Sequence, residues 1–301
     1  MKIDKVLKLM NIKVFSKWLI VLAISLPIVS CNQGKGKEKY SSVNETQQSG
    51  NSKEIGNTQP NQANEIDQVS DNGERYEIPA LREKSGEIIL HRRGYTVSYN
   101  PKTLIPNWVA WHLSASHTDG PYKRGGIQFH EDDDIPEPRV NTYDYIQSGY
   151  DRGHMCPAGD NKWDKEAMEQ SFLMTNICPQ AHSLNVGSWN SIEQHCRKWA
   201  NQYGDLYIVC GPILYRQTHK TIGQHKVTVP EAFFKVIMRL GKNPQAVGVI
   251  FRNDDSRHEW GDYVNSVDQV ERITGYDFFP ALPDNIENKI EAKADFDQWP
   301  R

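Results

Sequence analysis

The chain divides by the way apolar and polar positions alternate along it. Lys2, Lys5, Lys8, Lys13 and Lys17 precede an apolar run over 18–29, and from Asn32 to about Glu74 the apolar positions follow no period. Beyond that point, short apolar runs bounded by turn residues predict strands. Residues 87–91 and 95–99, separated by Arg93-Gly94, read as a hairpin, and 108–113 as a third strand. The runs 206–210, 233–240 and 246–251 have the character of buried strands.

Between these groups the period changes to that of helices. Trp189, Ile192, Cys196, Trp199 and Tyr203 recur at steps of three and four, one apolar helical face over 189–203, with Gly204 where a C-cap belongs. A shorter helix over 163–172 is predicted to start from the cap signal Asp160-Asn161. On the longer helix, Glu193 and Arg197 stand four apart as surface neighbours; taken alone they are an ion pair worth about 0.2–0.5 kcal/mol. No internal repeat occurs, and 285–301 reads as a helical or loose tail.

The amino end accounts for much of the polarity. Hydrophobic residues make up 38% of the 301 positions, and mean hydropathy is −0.68, low for a single packed globule. The run 18–29 is short for a bilayer span and sits where a secretory signal has its apolar core. Its end, Ile28-Val29-Ser30-Cys31, resembles the lipobox of bacterial lipoprotein signal peptides. That resemblance implies a signal peptide at 1–30, a lipidated Cys31, and a protein tethered to a bacterial membrane in the cell envelope, facing periplasm or exterior. An ordinary secretory signal with a neighbouring cysteine is the plainer alternative. The polar stretch that completes 31–75 cannot bury enough surface to offset its ordering entropy and reads as a linker.

Charge narrows the function classes. The net charge is −3, and residues 1–75 hold ten Lys and Arg and eight Asp and Glu, which leaves 25 basic and 30 acidic residues for the rest. This balance argues against a wide basic groove that grips nucleic acid by neutralising phosphates, though a metal ion and a few arginines can recruit phosphate locally.

Candidate chemistry concentrates in Ser148-Gly149-Tyr150-Asp151-Arg152-Gly153-His154. Arg152 and His154 set a phosphate-binding guanidinium beside an imidazole, with Gly153 permitting close approach. A second segment follows, from Thr175-Asn176 to Asn185 and on to Glu193. An asparagine amide oxygen is a hard neutral ligand suited to Mg2+, and a carboxylate eight residues later can order the waters such an ion retains.

These segments resemble the DNA/RNA non-specific endonuclease family, the endonuclease G-like ββα-metal nucleases. The resemblance runs over about 76–283 and rests on Asp151-Arg152-Gly153-His154 and 176–193, supported by Gly211-Pro212, 229–236 and 271–280. It implies an α+β fold with a central antiparallel sheet flanked by helices, a nuclease domain at 76–285 and a tail at 286–301. It also implies roles: His154 as general base, Asn185 as the direct metal ligand, Glu193 as the carboxylate on metal-bound water, and Arg152 and Arg197 as the motif and helix arginines. Asn176 matches an asparagine that supports the site, and Asp151 fixes the motif loop. Counting back from Phe129-His130-Glu131-Asp132, Arg124 best matches a further family arginine, with Arg139 left open. The reaction implied is Mg2+-dependent hydrolysis of DNA and RNA, with Mn2+ as a substitute ion, weak sequence preference and 5′ phosphate products. A surface lipoprotein that binds nucleic acid without cutting it, and a phosphodiesterase for smaller substrates, are the competing classes. No protein partner is readable.

Four cysteines follow Cys31. Cys156 and Cys178 sit just beyond the two catalytic segments, which the implied fold brings together, so a disulfide between them is plausible; Cys196 and Cys210 complete the set, and free buried thiols are the alternative. No paired spacing supports zinc. His112, His130, His182 and His195 read as structural or surface residues.

Overall fold

Apolar residues on alternate positions of the central strands are shared between the two faces of one sheet. A computed structural model describes residues 75–81, 86–254 and 259–300. Its principal strands are β1 (Ile88–His91), β2 (Thr96–Asn100), β3 (Ile105–Leu113), β4 (Asp151–His154), β5 (Ile177–Gln180), β6 (Leu206–Ile213), β7 (Ala232–Arg239), β8 (Gln245–Arg252) and β9 (Val264–Asn265). The main helices are α1 (Lys165–Gln170), α2 (Asn190–Tyr203), α3 (Val267–Thr274) and α4 (Asp284–Glu291). Seven strands form a sheet in the order β9-β8-β7-β6-β3-β2-β1, antiparallel throughout. Strands β4 and β5 form a ribbon of their own.

At the centre, β7 is buried along its whole length between β6 and β8, with Val236 opposite Val209 and Gly248. Phe233 and Ile237 point to the face covered by Trp189, Ile192, Cys196 and Trp199. Phe234, Val236 and Met238 point to the other, covered by Val267 and Val270 of α3 and Ile286 and Ile290 of α4. Period-two alternation thus builds two cores from one strand. Each such aliphatic side chain contributes roughly 1.5–3 kcal/mol on burial.

The predicted strands are present with their ends moved by a few residues. Helix α2 matches its predicted face, and Gly204, at φ +90°, ends it. Helix α1 begins later than predicted. Its cap is Asp164, whose carboxylate accepts the Ala167 N–H at 3.0 Å. Asp160 and Asn161 are already committed elsewhere: Asp160 to Arg197 and Trp111, and Asn161 through Nδ2 to the Pro157 carbonyl at 3.0 Å.

The segment expected as a tail, 286–301, packs onto the domain as far as residue 300. Ile286 and Ile290 are buried in α4. The buried Trp299 ring lies 4.9 Å from Trp199, whose Nε1 donates to the Pro300 carbonyl at 2.8 Å. The expected Cys156–Cys178 disulfide is replaced by free thiols, and Cys196 and Cys210 are also buried and unpaired. The ribbon register sets Cys178 opposite Gly153 rather than Cys156, while Cys156 Sγ accepts Asn161 Nδ2 at 3.4 Å. The signal peptide read at 1–30, Cys31 and nearly all of the linker at 31–75 lie outside the described residues.

Candidate active site

The motif residues stand on the ribbon. Strand β4 pairs with β5 so that Asp151 faces Gln180 and His154 faces Ile177. Gly153 is required by this approach, since a Cβ there would come within 2.6 Å of Gln180 Cβ. Arg152 and His154, two residues apart, share one side of the strand, and Phe129 packs on both. Its ring lies 5.1 Å from the imidazole and 5.0 Å from the Arg152 guanidinium. Phe172 closes on His154 edge-on at 5.1 Å and carries Arg124 at 5.7 Å from its centroid.

Beneath the ribbon, Asn176 is fully buried and its amide is spent on backbone. The Cys156 N–H donates to Oδ1 at 2.9 Å, and Nδ2 donates to the carbonyls of Cys156 and Ser171, both at 2.8 Å. It clips the chain that leaves β4 and does not line the cleft.

The other wall is the wide helical turn Asn185–Trp189 that runs into α2. Irregular turns of this kind often mark functional positions. Asn185 donates Nδ2 to Asp151 Oδ2 at 2.9 Å, and the same oxygen accepts His182 Nδ1 at 2.8 Å. Trp189 Nε1 donates to the His154 carbonyl at 3.1 Å, joining the two walls directly. One turn further on, Glu193 faces the cleft. Arg197 turns from Glu193 to Asp160, with Nη1 2.8 Å from Oδ1; Asp160 Oδ2 accepts Trp111 Nε1 at 3.1 Å.

His154, Arg152, Arg124, Asn185, Glu193 and Arg197 all line a single cleft of about 630 Å³. Arg139 is elsewhere, held by Asp133 at 2.8 Å and the Ile135 carbonyl at 2.9 Å, so Arg124 is the arginine the fold brings to the site. Spacing from the Phe129 segment identified it; spacing alone did not separate it from Arg139.

Burial, reinforced by the Arg124 charge, pushes the His154 pKa down to about 3, so the imidazole is neutral near pH 7. Its Nε2 is sealed without a hydrogen-bond partner. The ring lines the cleft. Burial pushes Glu193 the other way, up to about 7, opposed by the charge of Lys235. Three contributors escaped the sequence reading: Asp151 as the group that orients Asn185, Trp189 as the tie between walls, and Asp160 as the anchor of Arg197. Trp189 was visible only as an apolar helix position, and Asp160 only as a helix cap.

The donor set fits a hard divalent cation. Because Asp151 takes Nδ2 of Asn185, Oδ1 is the atom that could hold a cation, and the Glu193 carboxylate lines the same cleft.

The profile of the DNA/RNA non-specific endonuclease family matches residues 72–285. The chain is 33% identical over 225 residues to the mitochondrial nuclease EXOG of Xenopus laevis, covering 69% of this chain and 62% of that protein. It is 34% identical to a nuclease of Nostoc sp., covering 69% and 78%, and 28% identical to the mitochondrial endonuclease G of Bos taurus, covering 69% and 73%. It thus spans about three fifths of the length of the EXOG nucleases. A solved structure of EndoG bound to EndoGI superposes with a TM-score of 0.65 at 25% identity, covering 76% of this chain and 96% of that one. With its antiparallel sheet, its ribbon and its cleft helix, the chain belongs to the DNA/RNA non-specific endonuclease family.

Proposed function

We propose that the chain is a metal-dependent, sugar-non-specific endonuclease that hydrolyses phosphodiester bonds of DNA and RNA. In this reading His154 is the general base and Mg2+ the ion, with Mn2+ able to replace it. The observation that carries the reading is the His154 ring, sealed at Nε2 and sharing one cleft with Arg124, Arg152, Asn185 and Glu193.

With its proton on Nε2, the ring keeps a lone pair on Nδ1 to accept a proton from an attacking water. A positioned base of this kind contributes typically about 10²–10⁴-fold. Asn185 Oδ1 would hold the cation and Glu193 would order its waters. When bound, the ion supplies Lewis-acid stabilisation of charge on the phosphate and the departing oxygen. Arg152 and Arg124, each laid on an aromatic ring, offer N–H groups to phosphate oxygens at fixed positions. Groups of this type address phosphate and sugar rather than base edges, which supports weak sequence preference.

Nicking of supercoiled plasmid and cleavage of RNA, each with Mg2+ or Mn2+ and with a chelator control, test the proposal. The wild-type protein should cut both polymers, and His154→Ala should lose about 10²–10⁴-fold. A wild-type protein inert with both ions overturns the activity, and a His154→Ala variant within a few-fold of wild type overturns the base assignment.

We infer further that residues 1–30 direct export and that a lipid on Cys31 tethers the domain to a bacterial envelope. Cells fed a labelled fatty acid should label the wild-type chain and leave Cys31→Ser unlabelled; an unlabelled wild type refutes the anchor.

A further inference from the structure

A charged side chain that cannot reach the substrate lies beneath the cleft, at the centre of the sheet. Lys235 of β7 is fully buried, with 0% of its surface exposed. It occupies the sheet face that carries Trp111 and Cys210, under Trp189. Its Nζ lies 4.3 Å from the Trp189 ring centroid and 5.0 Å from that of Trp111. No protein group accepts a hydrogen bond from it among the described residues. An interior ammonium without a carboxylate partner is costly, and aromatic faces offset only part of that cost.

The surroundings nevertheless keep it charged. Burial opposes the ammonium, but Cys210, Glu193, Cys196 and Asp160 together hold its pKa above the ordinary lysine value. Two of these, Glu193 and Asp160, belong to the cleft wall and its support. With Arg197 and Lys235 they form a set of two carboxyl groups and two basic groups, Asp160 and Lys235 buried and Glu193 and Arg197 on the cleft wall. The Trp189 indole that covers Nζ is also the group that bonds the His154 carbonyl at 3.1 Å. It ends the turn that begins at Asn185. One ammonium therefore touches a side chain that, beside the Asn185–Asp151 hydrogen bond, ties the base strand to the metal-side turn.

We propose that Lys235 is a positioning residue for the nucleolytic reaction. From below, its charge holds the Trp189 indole and balances Glu193 and Asp160, so that β4 and the Asn185–Trp189 turn keep one relative placement. The inference rests on the endonuclease reading for its kinetic arm and on the packing around Trp189 alone for its spectroscopic arm.

The test is Lys235→Met, which keeps an unbranched stem between the indoles and removes the charge, beside Lys235→Arg, which restores it. Both are made in the whole chain. In Lys235→Met, kcat on plasmid or RNA should fall tenfold or more with KM for the polymer within twofold, because the residue never meets substrate. Lys235→Arg should recover part of kcat. In histidine-labelled protein, the His154 ring resonances should move in Lys235→Met while those of the exposed His130 stay in place. An inactive wild type with a moved His154 signal refutes the endonuclease reading and leaves standing only the link from Lys235 through Trp189 to His154. A kcat within twofold with an unmoved signal overturns the proposal, and so does a rise in KM as large as the fall in kcat. Should Lys235→Met not fold, Trp189→Phe decides: it keeps an aromatic face and deletes the N–H to His154, and wild-type kcat in that variant overturns the link.

Discussion

At the scale of single residues, the site depends on what surrounds each polar atom rather than on which residues are present. His154 is an ordinary imidazole whose pKa is pushed down to about 3 by burial against two phenylalanines and by a nearby arginine. Its pKa is lowered, so the neutral form persists until pH nears 3, and an acid limb of the rate profile at higher pH does not come from this ring. The expected NMR result is a His154 ring that shows no protonation between pH 8 and pH 5. Arg124→Ala should move its midpoint upward by removing the second cause of the shift. A wild-type midpoint close to the ordinary histidine value of about 6.5 would contradict the neutral-base reading. The linkage to stability has a definite sign. Between pH 6.5 and about 3 the unfolded ring binds a proton that the folded ring refuses, so this residue removes stability as pH falls through that window.

At the scale of elements, the cleft is the meeting of a ribbon and a helix, and the two differ in how far the sequence reveals them. Helix α2 was legible because Ile192, Cys196 and Trp199 face a core and impose a period near 3.6, and Gly204 marks its end. Strands β4 and β5 were not legible as strands. Asp151-Arg152-Gly153-His154 has no apolar alternation because its side chains serve the cleft, and β5 is buried on both sides. The chemistry of the motif was therefore readable while its backbone was not. Helix α1 was displaced because Asp160 resembles a cap in sequence, whereas its carboxylate is used to hold Arg197. Gly159 exposes this last arrangement to a test. A Cβ at Gly159 would lie 2.9 Å from Arg197 Nη1, and Gly159→Ala should push the guanidinium off Asp160. Activity should fall about tenfold with little change in melting temperature, a size typical of one misplaced charged hydrogen bond. An unchanged rate in a well-folded Gly159→Ala protein would show that the placement of Arg197 is immaterial.

At the scale of the whole molecule, the catalytic layer lies on one face of the sheet, and α3 and α4 lie on the other. There Asp268, Glu271 and Glu291 bring carboxylate oxygens within 4.8 Å of one another. Burial first, then repulsion from Glu271 and Glu287, pushes Glu291 up to about 9, and burial pushes Glu287 up to about 7. The sign is opposite to that of His154. Between the ordinary glutamate value of about 4.3 and these raised values, the folded chain holds protons that the unfolded chain releases. This side of the molecule therefore loses stability as pH rises through that interval. Glu291→Gln should raise the melting temperature at pH 8.5 and matter much less at pH 5. An equal effect at both values would remove the pH-linked cost assigned to this residue. The domain also extends further along the chain than its motifs suggest, since Trp299 and Pro300 pack on Trp199 of the helix that carries Glu193 and Arg197. The four buried thiols have a consequence of their own. With no crosslink among the described residues, the folded domain owes nothing to the redox poise of its compartment, and can persist among glutathione or outside the cytosol alike. The vulnerable interval comes earlier. Until the sheet closes over them, these thiols are open to any oxidising catalyst the nascent chain encounters, so correct assembly in an oxidising space is a race in which burial has to outrun mispairing.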